Sequence, residues 1–484
     1  MTTTDDTAAP AATGATRMEH DLLGEREVPA DAYYGVQTLR ATENFPITGI
    51  PISQYPHLVN ALAAVKEGAA LANHELGLLP ADVTDAIVRA CRELREGALH
   101  EWFVVDVIQG GAGTSTNMNA NEVIANRALE LLGREPGDYR WVHPNDHVNL
   151  SQSTNDVYPT AMKIAGNWAI DDLTAALAEL CDAFRAKGAE FGDVLKMGRT
   201  QLQDAVPMTL GQEFNAFAVT IGEDIERLRE AAALIREINM GATAIGTGIN
   251  TDPRYAALVR RKLAEVTGLE LITAPDLIEA TSDVGAFVQL SGVLKRVAVK
   301  LGKICNDLRL LSSGPRTGLG EINLPPMQPG SSIMPGKVNP VIPEVVNMVC
   351  FQVVGNDLTI TMAAEGGQLQ LNVFEPVIGF NLFQSMDMLA RAARVLRERC
   401  VVGITANRER LYRMVCDSIG LVTALVPYLG YERSAALAKE ALETGRGVMD
   451  LVREKAWLSD ERLSEILTPE AMTHPRPMPH AVEQ

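Results

Sequence analysis

Between Phe287 and Leu311 the apolar residues fall at Phe287, Leu290, Leu294, Val297, Leu301, Ile304, Leu308 and Leu311, in alternating steps of three and four. Those steps put every member on one face of an α-helix, as in the seam of a coiled coil. A second stripe, Leu210, Phe214, Phe217, Ile221, Ile225, Leu228, Ile235 and Ile238, predicts a helix from about Thr209 to Ile238. A third follows Pro159, with Ile164, Trp168, Leu173, Leu177, Leu180 and Phe184, and two more are expected at about 341–363 and 376–401. At about 1.5 Å per residue the longest would span on the order of 40 Å. Helices of that length need lateral partners for their apolar faces. The central third is therefore read as a helical bundle, with seams paired inside the chain or between subunits. Strand signals are weak and confined to pieces such as Leu271–Thr273.

Composition narrows what such a bundle can serve. The 484 residues are 46% hydrophobic and 21% charged, ordinary for a globular chain. The balance of 43 Lys+Arg against 61 Asp+Glu gives a net charge of −18, which disfavours nucleic acid and anionic membrane as partners. The first 17 residues lack a basic segment and an apolar core, so they read as a disordered tail and not as a secretory signal. No run of about 18 uninterrupted apolar residues appears, so no membrane span is expected. Six dispersed cysteines with no CxxC spacing read as buried free thiols in a reducing cytoplasm. The stretch from about 468, with Pro469, Pro475, Pro477 and Pro479, reads as an irregular tail.

Four segments interrupt the helices in a shared way, each small, polar and set where a helix begins. They are Gly110–Asn117 (GGAGTSTN), Ser151–Asp156 (SQSTND), Gly198–Gln201 (GRTQ) and Gly330–Pro340 (GSSIMPGKVNP). Helix N-termini carry unpaired N–H groups and a positive dipole end, so these segments are candidate anion sites. Taken singly, each Ser, Thr or Asn could be no more than a helix cap. The fourth segment is the least explicable that way. Pro and Gly surround two adjacent serines, Lys337 is a lone cation among small residues, and Asn339-Pro340 looks like a cap followed by proline at the first helical position. Hydroxyls, one cation and kinked flanks fit an active-site loop.

Other chemistries fit less well. Gly110–Thr114 lacks the GK[ST] of a phosphate-binding loop, and Gly241–Gly248 follows no strand of a βαβ unit. His143 and His147 stand four apart, but Pro144 lies between them and no further ligand cluster is near, so no metal site is assigned. There is no G-x-S-x-G elbow to activate a serine for acyl transfer.

The Gly330–Pro340 loop resembles the signature of the aspartase/fumarase superfamily. Gly113–Ser115, the SQSTND run, Gly198–Gln201 and Gly241–Thr251 (GATAIGTGINT) match in order and at the expected separations. Asp21–Phe45, Lys196–Phe214, Ile304–Pro315 and Met362–Pro376 resemble its aspartate ammonia-lyase branch, and the likeness runs over roughly residues 18 to 470. It implies a mostly α fold of three domains, taken here as 18–152, 153–408 and 409–484. It also implies a central long-helix bundle that becomes a multi-helix core in a homotetramer, with composite active sites drawing on three subunits. The implied reaction is reversible deamination of L-aspartate to fumarate and ammonia through an enediolate, in the cytoplasm. No cofactor is implied, though a divalent cation can activate members of the family.

Position by position, the resemblance makes Ser331 the catalytic base. It gives Thr114, Ser153, Thr154 and Ser332 to the β-carboxylate, Thr200, Lys337 and Asn339 to the α-carboxylate, and Asn155 to the amino group. Fumarases carry histidine where this chain has Gln201, set against a glutamate that matches Glu344. A neutral amide cannot do the acid–base work that a departing water or hydroxide needs. Gln201, and Thr154 where fumarases read serine, therefore favour an ammonia-lyase over a fumarase or a lyase for a substituted aspartate. A purely structural scaffold would not require all these groups together.

Overall fold

Most of each long stripe is buried along a helix, with Trp168 half-buried, and the ends of the helices are set by specific polar contacts. Gly285–Leu311 carries the three-four stripe, and none of its eight residues is more than 5% exposed. Leu210–Leu234 carries the second. Thr209 and Gln212 start it with a reciprocal cap: Gln212 N donates to Thr209 Oγ1 at 3.0 Å, and Thr209 N to Gln212 Oε1 at 2.9 Å. This helix stops before Ile235 and Ile238, although both are buried. The backbone there turns to pair Glu237–Ile238 with Ile272–Thr273 in a parallel two-residue ladder, which replaces helical hydrogen bonds.

The third helix is longer than its sequence pattern suggests. Proline was expected to open it, yet Thr154–Glu190 has Pro159 inside. A proline there cannot donate to the carbonyl of Asn155, four residues back. Asn239 supplies the missing donor, its Nδ2 lying 3.0 Å from Asn155 O. The carbonyl that the proline leaves free is thus satisfied from elsewhere, and the helix continues.

The fourth and fifth helices are Val341–Gly366 and Glu375–Arg399. Asn339 was expected to cap the former with Pro340 at its first position. Instead Pro340 precedes the first helical residue and its carbonyl accepts from Glu344 N at 3.2 Å. The Asn339 side chain is drawn away to Gly330 O at 2.7 Å, so it closes the loop and does not cap the helix. Among the described residues, Val341–Gly366 is the one helix long and apolar enough to cross a membrane. One side of it is occupied by protein contacts: Asn347 Nδ2 donates to Gly302 O, Asn356 Nδ2 to Ser385 Oγ, and Asp357 accepts from Ser291 Oγ. Its other side presents Val345, Met348, Phe351, Val354, Leu358 and Met362, each 40–69% exposed.

The computed structural model describes residues 14–475. The chain forms two compact units, each gathered from separate stretches. Of the described residues, the first takes those up to Thr174 with Glu226–Arg296 and Phe351–Leu389; the second takes Ala175–Ile225, Val297–Cys350 and those from Ala390 onward. In the first, the alanine-rich helix Pro56–Glu75 packs so closely on Tyr255–Thr267 that a Cβ at Gly68 would lie 2.7 Å from Leu263. In the second, Phe184, Phe191, Phe214 and Phe217 form an aromatic cluster with neighbouring centroids 5.4–6.2 Å apart. Strands among the described residues occur only in two-stranded sheets.

The two ends differ from the tails expected of them. Residues 1–13 and 476–484 lie outside the described residues. Thr16 and Arg17, assigned to the N-terminal tail, open the hairpin Thr16–Asp21/Gly24–Pro29. Arg17 is tied down there by the carbonyls of Ala32 and Tyr34, each at 2.7 Å. Pro469–Thr473 is a short helix and not irregular chain, because Thr468 Oγ1 caps Ala471 N and Pro469 takes the first-turn position that needs no N–H. Five of the six cysteines are buried free thiols, and Cys416 is partly exposed.

Candidate active site

The first unit assembles Thr114, Ser153, Thr154 and Asn155. Thr114 opens the helix Thr114–Leu131, preceded by Gly111, Ala112 and Gly113, all with positive φ. Gly113 cannot be replaced without strain: φ is +89° and a Cβ would lie 2.5 Å from the Tyr158 ring. One turn into that helix, Asn117 Nδ2 donates to Thr154 Oγ1 at 3.1 Å, which ties the second polar segment to the first. Ser153 Oγ accepts weakly from Asn155 N at 3.3 Å. Asn155 Nδ2 donates to Ala244 O at 2.7 Å, so its amide oxygen is the end left to accept from a ligand.

Beneath this surface lies a charged layer that sequence reasoning missed. Lys66 is completely buried, and its Nζ donates to Asn117 Oδ1 at 2.7 Å, Asn149 Oδ1 at 2.9 Å and Gln152 Oε1 at 2.9 Å. Three neutral oxygens satisfy the three donors of an ammonium. Burial still pushes the Lys66 pKa down to about 7, opposed by the charge of Asp156. Asp156 is also completely buried. Its carboxylate accepts from Ser153 N at 3.0 Å, Thr243 N at 2.9 Å and Gly241 N at 3.2 Å, so one side chain joins the SQSTND segment to the 241–243 loop. Burial pushes its pKa up to about 7, against the pull of those N–H groups and of Lys66. The only sequence signal for Lys66 is a cation on an otherwise apolar, alanine-rich helix face.

The second unit holds the other candidates in two places. Thr200 and Gln201 are exposed at the turn of the hairpin Leu195–Thr200/Gln203–Thr209. Ser331, Ser332, Lys337 and Asn339 share the 330–340 loop. Gly330 N donates to Lys337 O at 2.8 Å and Asn339 Nδ2 to Gly330 O at 2.7 Å, so the loop closes on itself. A Cβ at Gly330 would lie 2.5 Å from Lys337 O, which makes glycine necessary for that closure. Inside the closed loop Ser331 Oγ accepts from Met334 N at 2.9 Å and Ile333 N at 3.2 Å. Lys337 and Ser332 are exposed, as are the apolar Ile333, Met334 and Val338.

His143 and His147 have a local use. His143 Nδ1 accepts from Asn145 N and Asp146 N at 3.1 and 3.2 Å, and His147 Nδ1 accepts from His143 N at 2.8 Å. Together they shape the short helical turn Pro144–Val148.

Chemically, the first unit offers hydroxyls and an amide on a rigid, charged base, suited to an anion with an adjacent ammonium. The loop of the second offers a serine oxygen polarised by two N–H donors. Comparison with known proteins agrees in kind. The family described as Lyase matches residues 24–355, and Fumarase C C-terminus matches 421–474. Aspartate ammonia-lyase of Pseudomonas aeruginosa is 64% identical over 96% of this chain and 98% of its own. Those of Helicobacter pylori and Escherichia coli are 58% and 56% identical over 95% of this chain and 98% and 96% of theirs. A solved fumarate lyase:delta crystallin from Brucella melitensis superposes with TM-score 0.93 at 59% identity, over 95% of this chain and 100% of that one. A class II fumarase from Schistosoma mansoni superposes at 0.88 with 38% identity, over 94% and 99%.

Proposed function

The chain belongs to the aspartase/fumarase superfamily, and from that membership we propose that it catalyses the reversible deamination of L-aspartate to fumarate and ammonia, as a carbon–nitrogen lyase. The observation that carries the chemistry is the closed 330–340 loop with two N–H groups on Ser331 Oγ. A proton beside a carboxylate is very weakly acidic, so the barrier must be lowered by donors already aimed at the charge that develops.

In this mechanism Ser331 Oγ, as an alkoxide, takes the proton from Cβ. Its N–H donors favour the charged form of an oxygen that would otherwise be a poor base. The electron pair of the broken C–H bond moves into the β-carboxylate, which becomes a doubly charged enediolate. Thr114, Ser153, Thr154 and Ser332 stabilise that dianion. The pair then returns to form the Cα–Cβ double bond as the C–N bond breaks and the substrate ammonium leaves as ammonia. Thr200, Lys337 and Asn339 hold the α-carboxylate, and Asn155 accepts from the amino group. Gln201, being neutral, gives no acid–base help to a leaving hydroxide, and ammonia needs none.

We further propose that the two sets of residues meet in a homotetramer whose sites draw on three subunits. The apolar, exposed side of Val341–Gly366 supports this, because a second copy would bury it. The consecutive domains 18–152, 153–408 and 409–484 and residence in the cytoplasm belong to the same reading, the latter supported by the unpaired cysteines. No resident cofactor is assigned, and assays with added Mg²⁺ or a chelator test whether a divalent cation raises the rate. The deciding experiment follows fumarate by ultraviolet absorbance from L-aspartate and from L-malate. Fumarate is expected from aspartate; fumarate from malate alone would overturn the assignment.

A further inference from the structure

The turn that carries Thr200 and Gln201 is in an unfavourable conformation. Thr200 pairs with Gln203, leaving Gln201 and Leu202 as a two-residue hairpin loop with φ of +55° and +63°. Such loops normally use Asn-Gly or Gly-Gly, because a side chain with a Cβ is disfavoured in the left-handed region. Leu202 is 71% exposed, so packing does not repay that cost. A strained turn persists only where its surroundings fix it.

Besides Ser418 Oγ, which donates to Asp204 Oδ2 at 2.7 Å on the second strand, a fixing contact lies at the base of the same hairpin. Glu321 is completely buried, and both of its oxygens face cations from the first strand. Arg199 Nη1 donates to Oε1, and Lys196 Nζ is 2.8 Å from Oε2 as an ion pair. Lys196 also donates to Glu213 Oε2 at 2.6 Å, so two cations and two carboxylates balance. Strand alternation would send Lys196 and Arg199 to opposite faces. The register irregularity between Met197 and Arg199 lets both reach one carboxylate. Glu321 is itself held by backbone bonds on each side, Glu321 N to Leu311 O at 2.8 Å and Asn407 N to Glu321 O at 2.9 Å. The clamp therefore ends one residue short of Thr200.

We infer that Glu321, acting through Lys196 and Arg199, is a positioning residue that holds the Gln201–Leu202 turn in the shape that grips the substrate's α-carboxylate; this rests on the α-carboxylate role proposed above for Thr200. Glu321 touches no substrate in this scheme. Its removal weakens binding and leaves the proton-abstraction step to Ser331.

The test is Glu321→Gln in the full-length enzyme, read in two independent ways. Steady-state kinetics with L-aspartate should show KM raised at least tenfold with kcat within threefold of wild type. Hydrogen exchange of peptides covering 196–208 should be at least tenfold faster, a readout that needs no turnover. Adding Leu202→Gly, which relieves the left-handed strain at an exposed position, should recover at least threefold of the lost KM. A variant with unchanged KM and unchanged exchange overturns the inference. So does one whose melting temperature falls while KM stays put, since that is a merely structural role. If Glu321→Gln does not fold, Arg199→Lys keeps both charges and should show the same KM-selective loss, with unchanged KM again overturning the inference. A wild-type enzyme inactive on aspartate would instead sink the functional reading, and the exchange result would then decide the clamp alone.

Discussion

The Thr114/Ser153–Asn155 cluster and the 330–340 loop are both made of hydroxyls and amides, yet they are built in opposite ways. The cluster stands on helix N-termini over a buried lysine and a buried aspartate, each with three hydrogen-bond partners. The loop is closed by hydrogen bonds within itself and carries exposed side chains on most of its length. Regions with few buried contacts sit at the low-stability end of a protein. The difference assigns them different tasks. A binding surface for a dianion must be fixed before the charge arrives, whereas a base must be delivered to it.

That contrast predicts that damage in the two places will look different. Ser331→Ala should have the largest effect on rate, lowering kcat about 10³-fold or more, because it removes the base and its polarised oxygen together. It should leave the melting temperature and circular dichroism unchanged, since Ser331 supports only the loop's own N–H groups. Near-normal turnover would remove Ser331 from the mechanism. Asp156→Asn should lower activity less, about 10²-fold in kcat/KM, and should also cost about 3 kcal/mol of stability in denaturant melts. The added NH₂ would face either Ser153 N or the N–H groups of Gly241 and Thr243, and Lys66 would lose its compensating charge. If Asp156→Asn proved silent in both assays, the cluster would not be preorganised in the way its geometry implies.

Lys66→Met probes the same base through pH. The folded-state pKa of Lys66 is depressed to about 7 from an ordinary value of 10.5. Between those values the unfolded chain holds the proton more than the folded one does, so stability rises with pH across that window. Below about pH 7 the full cost of burying the charge is present. Wild type should therefore gain stability relative to Lys66→Met as pH rises from 7 to 10, by an amount on the order of a few kcal/mol. Urea melts of both proteins at pH 7, 8.5 and 10 measure it, and a gap that does not move would mean that Lys66 keeps its proton throughout.

How much of this was readable in the sequence follows from how local each feature is. The helical seams were legible because a three-four step is a property of one helix, and every member of the 287–311 stripe is buried. Three of the four polar segments were legible as helix starts for the same reason; Gly198–Gln201 is not one, because it lies in the hairpin Leu195–Thr200/Gln203–Thr209 and the helix begins only at Leu210. The charged layer was not, because the partners of Lys66 stand 51, 83 and 86 residues away. Asn339 was misread as a cap because its competing partner, Gly330 O, lies nine residues earlier, beyond any capping pattern. The Glu321 clamp depends on a strand irregularity that alternation alone does not reveal. What stayed hidden is in each case a side chain that spends its hydrogen bonds far from its own element.

Pro159 gives the smallest and most discriminating prediction about the cluster. In Pro159→Ala the new N–H can reach Asn155 O, the carbonyl that now accepts from Asn239 Nδ2. Asn239 Nδ2 is not stranded by this, since it also donates to Thr281 Oγ1 at 3.1 Å. The exchange replaces one hydrogen bond with another, so stability should change by less than about 1 kcal/mol. The Asn155 amide, held separately by Ala244 O, should keep its orientation, and kcat/KM should stay within about threefold. A loss nearer a hundredfold would mean that the backbone at Pro159, and not the Lys66–Asp156 base, sets the geometry of the cluster. The proposed division of labour would then have to be redrawn around the helix start.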